Sequence, residues 1–235
     1  MTKKPSILVT GAAGRIGSAV VAALSKWTDQ VYSFDRMEKE PSPFFVRGDL
    51  RDASAINNAV RGKDIVIHLG ATPDDADFMT ELLPNNIIGA YNVLEACRQN
   101  GVRRLILASS GQVNAVRVRG EGPWPVRVDE PLQPYYLYAA TKIFAESVGQ
   151  VFSNRHGFDV LVVRLGWCPR SAEHLAEWKS EPFLRDVYFS QADIGRFFTK
   201  TVQKPESFGF KVVFACSRPF NTERYDLKPA EELLG

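Results

Sequence analysis

Tyr138 and Lys142 form the clearest candidate pair for chemistry in this sequence. They are four residues apart in a stretch with helical spacing over 137–154, so both side chains project from one face of the helix. A hydride can leave an alcohol carbon only if the hydroxyl proton is removed, and a phenolate is a suitable base for that proton. A neighbouring ammonium group stabilises the phenolate and lowers the pKa of the tyrosine. The spacing therefore predicts a general base, Tyr138, supported by Lys142, acting on a small hydroxylated molecule.

Two serines, Ser109 and Ser110, follow an apolar run over 105–108 that is typical of a buried strand. In a parallel sheet, the carboxyl ends of the strands form the edge at which ligands bind. A hydroxyl group at that edge can orient the substrate oxygen and polarise a reacting carbonyl group. We therefore expect one of these serines to act in the site and the other to be structural.

Three glycines, Gly11, Gly14 and Gly17, lie between the first strand-like run and the first helical pattern. Gly11 allows the chain to turn sharply off the strand, Gly14 allows a pyrophosphate to approach the backbone, and Gly17 allows the helix to pack close to the sheet. The helix then presents free N–H groups and the positive end of its dipole to the phosphates. This strand–turn–helix context predicts a dinucleotide-binding turn.

Asp35 ends the second predicted strand, about 20 residues beyond the turn. A carboxylate there accepts hydrogen bonds from the ribose hydroxyl groups of adenosine and repels a 2′-phosphate, which favours NAD over NADP. Arg36 acts against this preference, since an arginine beside the ribose can accommodate a 2′-phosphate. Asp49 follows the third predicted strand, and two interpretations stay open for it. It either contacts the adenine amino group or caps the helix predicted over 53–61.

Short apolar runs alternate with helical patterns along most of the chain. Strands are predicted at 6–10, 31–35, 44–47, 65–69, 105–108 and 160–165. Helices are predicted at 15–27, 53–61, 80–99 and 137–154. Continuous apolar strands separated by helices are typical of a parallel sheet covered on both faces, with right-handed crossovers. The predicted fold class is therefore α/β, a doubly wound parallel-sheet Rossmann fold.

The chain changes character after the last of these strands. Residues 167–235 contain irregular polar stretches, a further helix near 191–203 and a strand near 210–215. We expect residues 1–166 to form the dinucleotide-binding domain and the remainder to form a small substrate-binding cap, the two making one structural unit. The segment 111–135 is rich in Gly, Pro and Arg and is predicted to be a long loop, and such loops are usually functional or mobile.

Composition excludes several classes of partner. The net charge of +2 gives no electrostatic reason to expect nucleic acid or an anionic membrane. No apolar run approaches the ~20 residues of a membrane span. The three cysteines, Cys97, Cys168 and Cys216, form no CxxC pair, and no histidine lies at metal-ligand spacing from another histidine or cysteine. We expect a cytoplasmic protein with free thiols, no metal, and a small molecule as its partner.

Taken together, these motifs resemble the extended short-chain dehydrogenase/reductase superfamily, which includes NAD-dependent epimerases and dehydratases. The matching runs keep a fixed order along the chain: 10–17 (TGAAGRIG), 48–50 (GDL), 68–71 (HLGA), 86–89 (NIIG), 108–110 (ASS) and 138–142 (YAATK). The resemblance implies a catalytic triad of Ser110, Tyr138 and Lys142, supported by Asn86 from a helix. It also implies that NAD contacts the turn, the strand ends and the triad, through Gly11, Gly14, Arg15, Ile16, Gly17, Asp35, Arg36, Asp49, Leu50, Leu69, Gly70, Ala71, Tyr138 and Lys142.

Within the superfamily, the chain is most similar to the uronate dehydrogenases, which oxidise glucuronate or galacturonate with NAD. The runs that carry this likeness are 85–92, 164–168 and 227–229. The chain departs from their pattern where they hold the substrate. Gly111 and Gln112 replace an Asn-His pair, Pro73 and Trp167 each replace a serine, and Arg170 lies near the position of a carboxylate-binding arginine. These five residues are candidate substrate contacts, whereas the uronate substrate does not carry over.

Two related chemistries fit the sequence less well. Dehydratases place two acidic residues directly after the position of Ser110, where this chain has Gly111 and Gln112. Nucleotide-sugar epimerases need a larger carboxyl-terminal region than the roughly 70 residues that follow the sixth predicted strand, which favours a small substrate. The leading hypothesis is therefore an NAD-dependent dehydrogenase of a small sugar, sugar acid or polyol. The alternatives are a sugar epimerase or carbonyl reductase, and a non-catalytic NAD(P)-binding sensor.

The resemblance also implies a homodimer, formed through the helices predicted over 80–99 and 137–154. The other interpretation is that the apolar residues of these helices face the sheet, and both interpretations stay open.

Overall fold

Seven parallel strands form the central sheet of the computed structural model, which describes residues 4–37 and 42–235. The spatial order of the strands is β3-β2-β1-β4-β5-β6-β7. Their bounds are β1 (Ile7–Thr10), β2 (Val31–Asp35), β3 (Phe45–Arg47), β4 (Ile65–His68), β5 (Arg104–Ser110), β6 (Asp159–Leu165) and β7 (Phe210–Ala215). All neighbouring pairs run parallel, which confirms the doubly wound Rossmann fold.

Helices cover both faces of the sheet. Their bounds are α1 (Arg15–Ser25), α2 (Ala53–Val60), α3 (Gly89–Gln99), α4 (Ala115–Arg119), α5 (Leu137–His156), α6 (Ala172–Ala176), α7 (Gln191–Gln203) and α8 (Lys228–Leu234). On one face α1 packs against α7, and Leu24 and Phe198 are buried there. On the other face α2, α3 and α5 bury residues such as Val93 and Phe152. Within the described ranges, no helix combines the length and apolar character needed to cross a membrane.

The strand order reverses between β1 and β4. From β1 the sheet grows outward through β2 and β3, and from β4 it grows in the other direction through β5, β6 and β7. The loops that follow β1 and β4 therefore leave the sheet toward opposite sides and open a crevice at its carboxyl edge. Doubly wound sheets bind their ligands in this crevice.

The helix predicted over 80–99 has two parts in the structure. A wider, π-helical segment, Phe78–Ile88, precedes α3. Pro84 lies inside this segment and has no N–H group to donate, so it interrupts the regular α-helical pattern. Gly89 N donates to Pro84 O, five residues back, as in a π-helix. The spacing of apolar residues predicts a helix here, but it does not distinguish π-helical turns from α-helical ones.

Residues 167–235, expected to form a cap, are divided between the sheet and its carboxyl edge. β7 pairs with β6, and α7 packs on α1, so this part of the tail completes the sheet. Every residue of β6 is buried, and β7 covers the edge that β6 would otherwise expose. The rest of the tail contributes Leu184, Val187 and Tyr225 to a small apolar cluster.

The segment 111–135, expected to be a loop, contains the short helix α4 and is attached to the tail. Val126 pairs with Tyr225 in an isolated parallel bridge. Val126 N donates to Arg224 O at 2.8 Å, and Asp226 N donates to Val126 O at 3.0 Å. This bridge connects segment 111–135 to residues 167–235, the two parts of the chain in which the sequence is most irregular.

A buried ion pair fixes the connection between α7 and β7 to the sheet. Arg104 and Asp159 are 0% and 3% exposed, and Arg104 Nη2 lies 2.9 Å from Asp159 Oδ2. The other hydrogen bonds of the pair reach Thr201, Lys204, Glu206, Ser207, Phe208 and Gly209. The amino ends of β5 and β6 are thereby tied to the chain that leads into β7.

Asp159→Ala is expected to lower the free energy of unfolding by about 3–5 kcal/mol, because it leaves the buried charge of Arg104 without its partner. Urea denaturation followed by circular dichroism measures this change. Glu95→Ala is the matched control, since Glu95 forms a more exposed ion pair with Arg98, where such pairs contribute about 0–1 kcal/mol. Equal losses in the two variants would contradict the role of the buried pair.

Candidate active site

The glycine-rich turn after β1 makes contacts that are too close for side chains. Gly11 has a φ of +69°, and a Cβ atom there would lie 2.6 Å from Gly70 N. A Cβ atom on Gly17 would lie 2.1 Å from Gly11 O. Gly14 directly precedes α1, and none of the described side chains caps this helix. The N–H groups of its first turn are therefore left for a ligand.

Asp35, the last residue of β2, is attached to the same turn. Its carboxylate accepts hydrogen bonds from Ala13 N at 3.0 Å and from Met37 N at 3.2 Å. Arg36 follows directly and lines the same crevice. The phosphate-binding turn and the candidate ribose contact therefore form one unit.

The structure decides between the two interpretations of Asp49. Asp52 caps α2, by accepting hydrogen bonds from Ser54 N and Ala55 N at 2.9 and 3.0 Å. Asp49 instead pairs with Arg51, with Oδ2 and Nη2 2.7 Å apart. The hydrogen bond from Arg51 holds the pKa of Asp49 below its usual value. The helix-cap interpretation of Asp49 is therefore excluded, and Asp49 lines the crevice.

Ser110, Tyr138 and Lys142 meet at the carboxyl end of β5. Ser110 is the last residue of that strand, and the other two lie one turn apart on α5. Tyr138 lies close enough to Ser110 for the serine hydroxyl to lower the pKa of its phenol, and Ser110 Oγ accepts from Gln112 N at 3.2 Å. Lys142 Nζ lies 5.5 Å from the centre of the Tyr138 ring and donates to Ala108 O at 3.1 Å. The three groups proposed from the sequence are thus close together.

Burial shifts the pKa values of both titratable members of this group. It lowers the pKa of Lys142 to about 8, and the Glu146 carboxylate opposes that shift. Burial and the Asp74 carboxylate raise the pKa of the Tyr138 phenol above its ordinary value, while the hydrogen bond with Ser110 lowers it. The sequence leads us to expect that Lys142 lowers the pKa of Tyr138. The net direction of the Tyr138 pKa shift is the opposite, because burial of the phenol outweighs the groups that lower its pKa.

A network of buried polar groups lies behind Lys142. Glu146, one turn further along α5, forms an ion pair with Arg164 of β6, with Oε2 and Nη2 2.9 Å apart. Ser109 hydrogen-bonds to the same carboxylate, and Arg164 donates to Asn114 Oδ1 at 3.4 Å. Ser109 is therefore bonded within the core, as expected for the structural member of the serine pair.

Asn86 holds the loop that follows β4. Its Oδ1 accepts from Thr72 N at 2.8 Å, and its Nδ2 donates to Thr72 O and to Thr141 Oγ1, both at 3.1 Å. The same loop carries Asp75, whose carboxylate accepts from Tyr138 N at 3.0 Å. Asn86 therefore fixes this loop, which is itself bonded to the start of α5.

Nearly all the residues proposed from the sequence line one cavity. Its volume of about 930 Å³ is at the upper end of the range for small-molecule sites. Its lining includes Gly11, Gly14, Arg15, Ile16, Gly17, Asp35, Arg36, Asp49, Leu50, Leu69, Gly70, Ala71, Pro73, Ser110, Gly111, Gln112, Tyr138, Trp167 and Arg170. Lys142 and Asn86 are buried and lie behind this lining. The glycine turn and the Ser110–Tyr138 pair therefore face the same space.

Two of the five candidate substrate contacts are already bonded to protein groups. The Arg170 guanidinium pairs with the Asp74 carboxylate, which offsets its charge. The Trp167 indole N–H lies 3.1 Å from His174 Nε2. The other three contacts are Pro73, Gly111 and Gln112, and the buried Oε1 of Gln112 has no hydrogen-bond partner among the described residues.

Several residues of the cavity wall carry no signal in the sequence. They include Asp74, Asp75, Arg119, His174, Glu177, Glu181, Phe183, Leu184, Val187 and Tyr225. Most of them come from the irregular segments 111–135 and 167–235, where no periodic pattern indicates which way a side chain faces. The one available signal is indirect: a glycine next to Ser110 leaves space that another side chain can fill.

Comparison with known proteins finds relatives of the same architecture. The family model described as NAD dependent epimerase/dehydratase family matches residues 7–167. The L-arabinose 1-dehydrogenase (NAD(P)(+)) of Haloferax volcanii is 32% identical over 200 residues, which cover 80% of this chain and 78% of that enzyme. The uronate dehydrogenase of Agrobacterium fabrum is 33% identical over 180 residues, 74% of this chain and 66% of that enzyme. A mutant uronate dehydrogenase from Agrobacterium tumefaciens complexed with NAD has a TM-score of 0.76 at 29% identity, covering 92% of this chain and 78% of that one.

The sheet order and the cavity define a Rossmann-type dinucleotide-binding protein in which a serine, a tyrosine and a lysine meet beside the phosphate-binding turn. The family match extends over more than half of the chain. The chain belongs to the NAD dependent epimerase/dehydratase family, which confirms the resemblance drawn from its motifs.

Proposed function

We propose that this protein is an NAD-dependent dehydrogenase that oxidises a hydroxyl group of a small sugar, sugar acid or polyol. The proposal rests mainly on the position of Ser110 and Tyr138, which line the cavity that also contains the glycine turn, with Lys142 behind them. A dinucleotide on the turn and a substrate at the pair would therefore share one space. The relatives are an L-arabinose dehydrogenase and a uronate dehydrogenase, which supports this class of substrate.

The residues present fit NAD. Gly11 and Gly70 approach each other closely, and none of the described side chains caps the start of α1. A pyrophosphate can therefore approach the backbone N–H groups at this turn. Asp35 ends β2, and we expect its carboxylate to accept hydrogen bonds from the adenosine ribose. The other residues we expect to hold NAD are Gly14, Arg15, Ile16, Gly17, Arg36, Asp49, Leu50, Leu69, Ala71, Tyr138 and Lys142. The relative complexed with NAD supports this cofactor.

Tyr138 is the group that takes the hydroxyl proton of the substrate. Bound NAD supplies the hydride acceptor. As the hydride leaves carbon, the hydroxyl proton becomes acidic and passes to the Tyr138 oxygen. Ser110, whose oxygen already accepts from Gln112 N, can donate its own hydrogen to the substrate oxygen. Lys142 is positively charged below its pKa of about 8, and its charge favours the phenolate form of Tyr138.

An epimerase is the second candidate, because the matching family model covers epimerases as well as dehydratases. A carbonyl reductase would use the same groups in the reverse direction. An epimerase returns the hydride to its substrate and releases no net NADH, whereas the proposed dehydrogenase accumulates NADH. Product stereochemistry and net NADH therefore separate the two.

Wild-type protein with NAD is expected to form NADH with at least one member of a panel of aldoses, uronates and polyols. Tyr138→Phe is expected to lower kcat by at least about 100-fold, since it removes the proton acceptor. With the pKa of Tyr138 raised, the wild-type rate is expected to rise with pH as more phenolate forms. The rise levels off above about pH 8, where Lys142 loses its proton.

NADH absorbance across this pH range measures both effects. Tyr135→Phe is the matched control, because Tyr135 is 73% exposed and is expected to be dispensable. Full turnover by Tyr138→Phe would contradict the proposed mechanism.

Asp35→Ser is expected to shift cofactor preference toward NADP. The substitution removes the carboxylate that repels a 2′-phosphate and keeps Arg36 beside the ribose. A hydrogen bond to a charged group contributes about 1.5 kcal/mol or more, so the ratio of the NADPH and NADH dissociation constants is expected to change about tenfold. Fluorescence titration with each cofactor measures the ratio, with Asp29→Ser, an exposed acidic residue, as the control. An unchanged ratio would remove Asp35 from the ribose site.

We also propose a homodimer formed along α3 and α5. Ile88, Tyr91 and Val151 are 44%, 47% and 48% exposed. The Tyr91 ring contacts Phe152 of α5, with ring centres 6.0 Å apart, so the two helices adjoin along this surface. Sedimentation equilibrium is expected to show a dimer that Tyr91→Glu dissociates, and a monomeric wild-type protein would refute the proposal.

We place the protein in the cytoplasm. Cys97, Cys168 and Cys216 are free thiols, which are typical of proteins in a reducing compartment.

A further inference from the structure

The side chain of Tyr225 fills the space that a side chain on Gly111 would occupy. A Cβ atom on Gly111 would lie 2.0 Å from the Tyr225 hydroxyl oxygen and 2.7 Å from ring carbon Cζ. Gly111 has no positive φ, so its backbone conformation does not itself require glycine. The close approach of Tyr225 is therefore the reason that position 111 excludes a larger residue. Gly111 follows Ser110 directly, and Tyr225 lines the same cavity as Ser110 and Tyr138.

Two sets of contacts hold the Tyr225 ring in place. The ring stacks on Phe214 of β7, with centres 4.5 Å apart and planes within 5° of parallel. The backbone on either side is bonded to Val126, through Arg224 O and Asp226 N. The position of the hydroxyl group is therefore set by the fold before any ligand binds, which is the arrangement that makes a hydrogen bond to a ligand selective.

The Tyr225 hydroxyl group has no partner in the described ranges 4–37 and 42–235. Tyr225 is only 4% exposed, yet it lines the cavity together with Ser110 and Tyr138. Buried phenol hydroxyl groups usually have a hydrogen-bond partner. Burial raises the pKa of Tyr225 above its ordinary value, so the phenol stays uncharged. An uncharged donor and acceptor is thus available at the wall of the cavity.

We propose that Tyr225 determines substrate specificity by hydrogen-bonding a second substrate hydroxyl group, on the carbon next to the one that is oxidised. This inference rests on the proposed dehydrogenase function and narrows its substrate class. Ser110 and Gly111 are consecutive, and the Tyr225 hydroxyl group occupies the space of a side chain at position 111. Because Ser110, Tyr138 and Tyr225 line one cavity, a polyhydroxylated ligand held at Ser110 has a second hydroxyl group available for Tyr225.

The chemistry of the phenol favours a neutral polyhydroxylated substrate, such as an aldose. A neutral phenol can both donate to and accept from a sugar hydroxyl group. The Arg170 guanidinium, a candidate carboxylate anchor, is already paired with Asp74. The site therefore offers a partner to a second sugar hydroxyl group, while the charge of Arg170 is already offset by Asp74.

The test measures KM and kcat with NAD for an aldose and for its 2-deoxy form, for example L-arabinose and 2-deoxy-L-ribose. Tyr225→Phe keeps the stacked ring and removes only the hydroxyl group. It is expected to raise the KM of the aldose about three- to tenfold, the range for one lost hydrogen bond. The 2-deoxy sugar lacks the second hydroxyl group, so its KM is expected to be the same in both proteins. The KM for NAD and the kcat at saturating aldose are expected to stay within about twofold.

Tyr188→Phe is the matched control, because it removes a phenol hydroxyl group from the same tail but does not line the cavity. Gly111→Ala is a second variant that displaces the Tyr225 hydroxyl, and it is expected to raise the KM of the aldose in the same way. Circular dichroism checks that each variant is folded. An unchanged aldose KM in Tyr225→Phe would overturn the inference and leave the dehydrogenase function standing.

If the wild-type protein oxidises no sugar, the proposed function is wrong, and a binding measurement decides the role of Tyr225. Saturation-transfer NMR of L-arabinose with NAD-loaded protein is the readout. A sugar signal that is present with wild-type protein and lost with Tyr225→Phe supports the contact. Equal signals with both proteins, or no signal with either, overturn it.

Discussion

The close approach of Gly11 and Gly70 is the constraint on which the candidate site depends. The loops that leave β1 and β4 meet at this contact, because the strand order reverses between those two strands. On one side of the contact lies the turn that precedes α1. On the other side, the loop after β4 continues to Asp75, which is bonded to Tyr138 N at the start of α5. A side chain at Gly11 would separate the two loops, and with them the cofactor side of the cavity and the group that moves the proton.

The electrostatic character of the site follows from the burial of Lys142. Its side chain is removed from water and bonded to a single carbonyl group, so its charged form is destabilised and its pKa falls to about 8. Glu146 offsets part of this effect, and Arg164 in turn balances Glu146. The network thus keeps Lys142 close to the pH range in which a base catalyst operates, where a modest change in pH alters its charge.

Sequence patterns reveal the residues whose spacing reflects a local backbone requirement. The glycine turn, Asp35 at a strand end and the pair Tyr138 and Lys142 all lie on or beside regular elements, whose period determines which way they face. Asp75 and Tyr225 could not be found in this way. Asp75 is 63 residues from Tyr138 in the chain, and the two are joined only by tertiary structure.

The pairing of elements in the fold is likewise set by tertiary structure and is not visible in local sequence patterns. The apolar run at β7 identifies a strand, but it does not show which strand β7 pairs with. The sequence therefore predicts a cap for residues 167–235, whereas in the structure β7 pairs with β6 and completes the sheet. The pKa of Tyr138 is a further example, because the direction of its shift is set by burial and by the Asp74 carboxylate, which the sequence spacing does not show. A helical spacing places both residues on one face and leaves the side-chain torsions open.

The central claim is that a hydride passes directly from a substrate carbon to bound NAD while Tyr138 takes the hydroxyl proton. The most direct measurement uses a sugar deuterated at the carbon that is oxidised and follows the label by NMR of the nucleotide product. We predict that the deuterium appears at C4 of the nicotinamide ring of NADH, and that Tyr138→Phe suppresses this transfer. Tight NAD binding with no labelled NADH would contradict the account. In that case, label retained in a sugar of inverted configuration would identify an epimerase, and an unchanged sugar would identify a non-catalytic sensor.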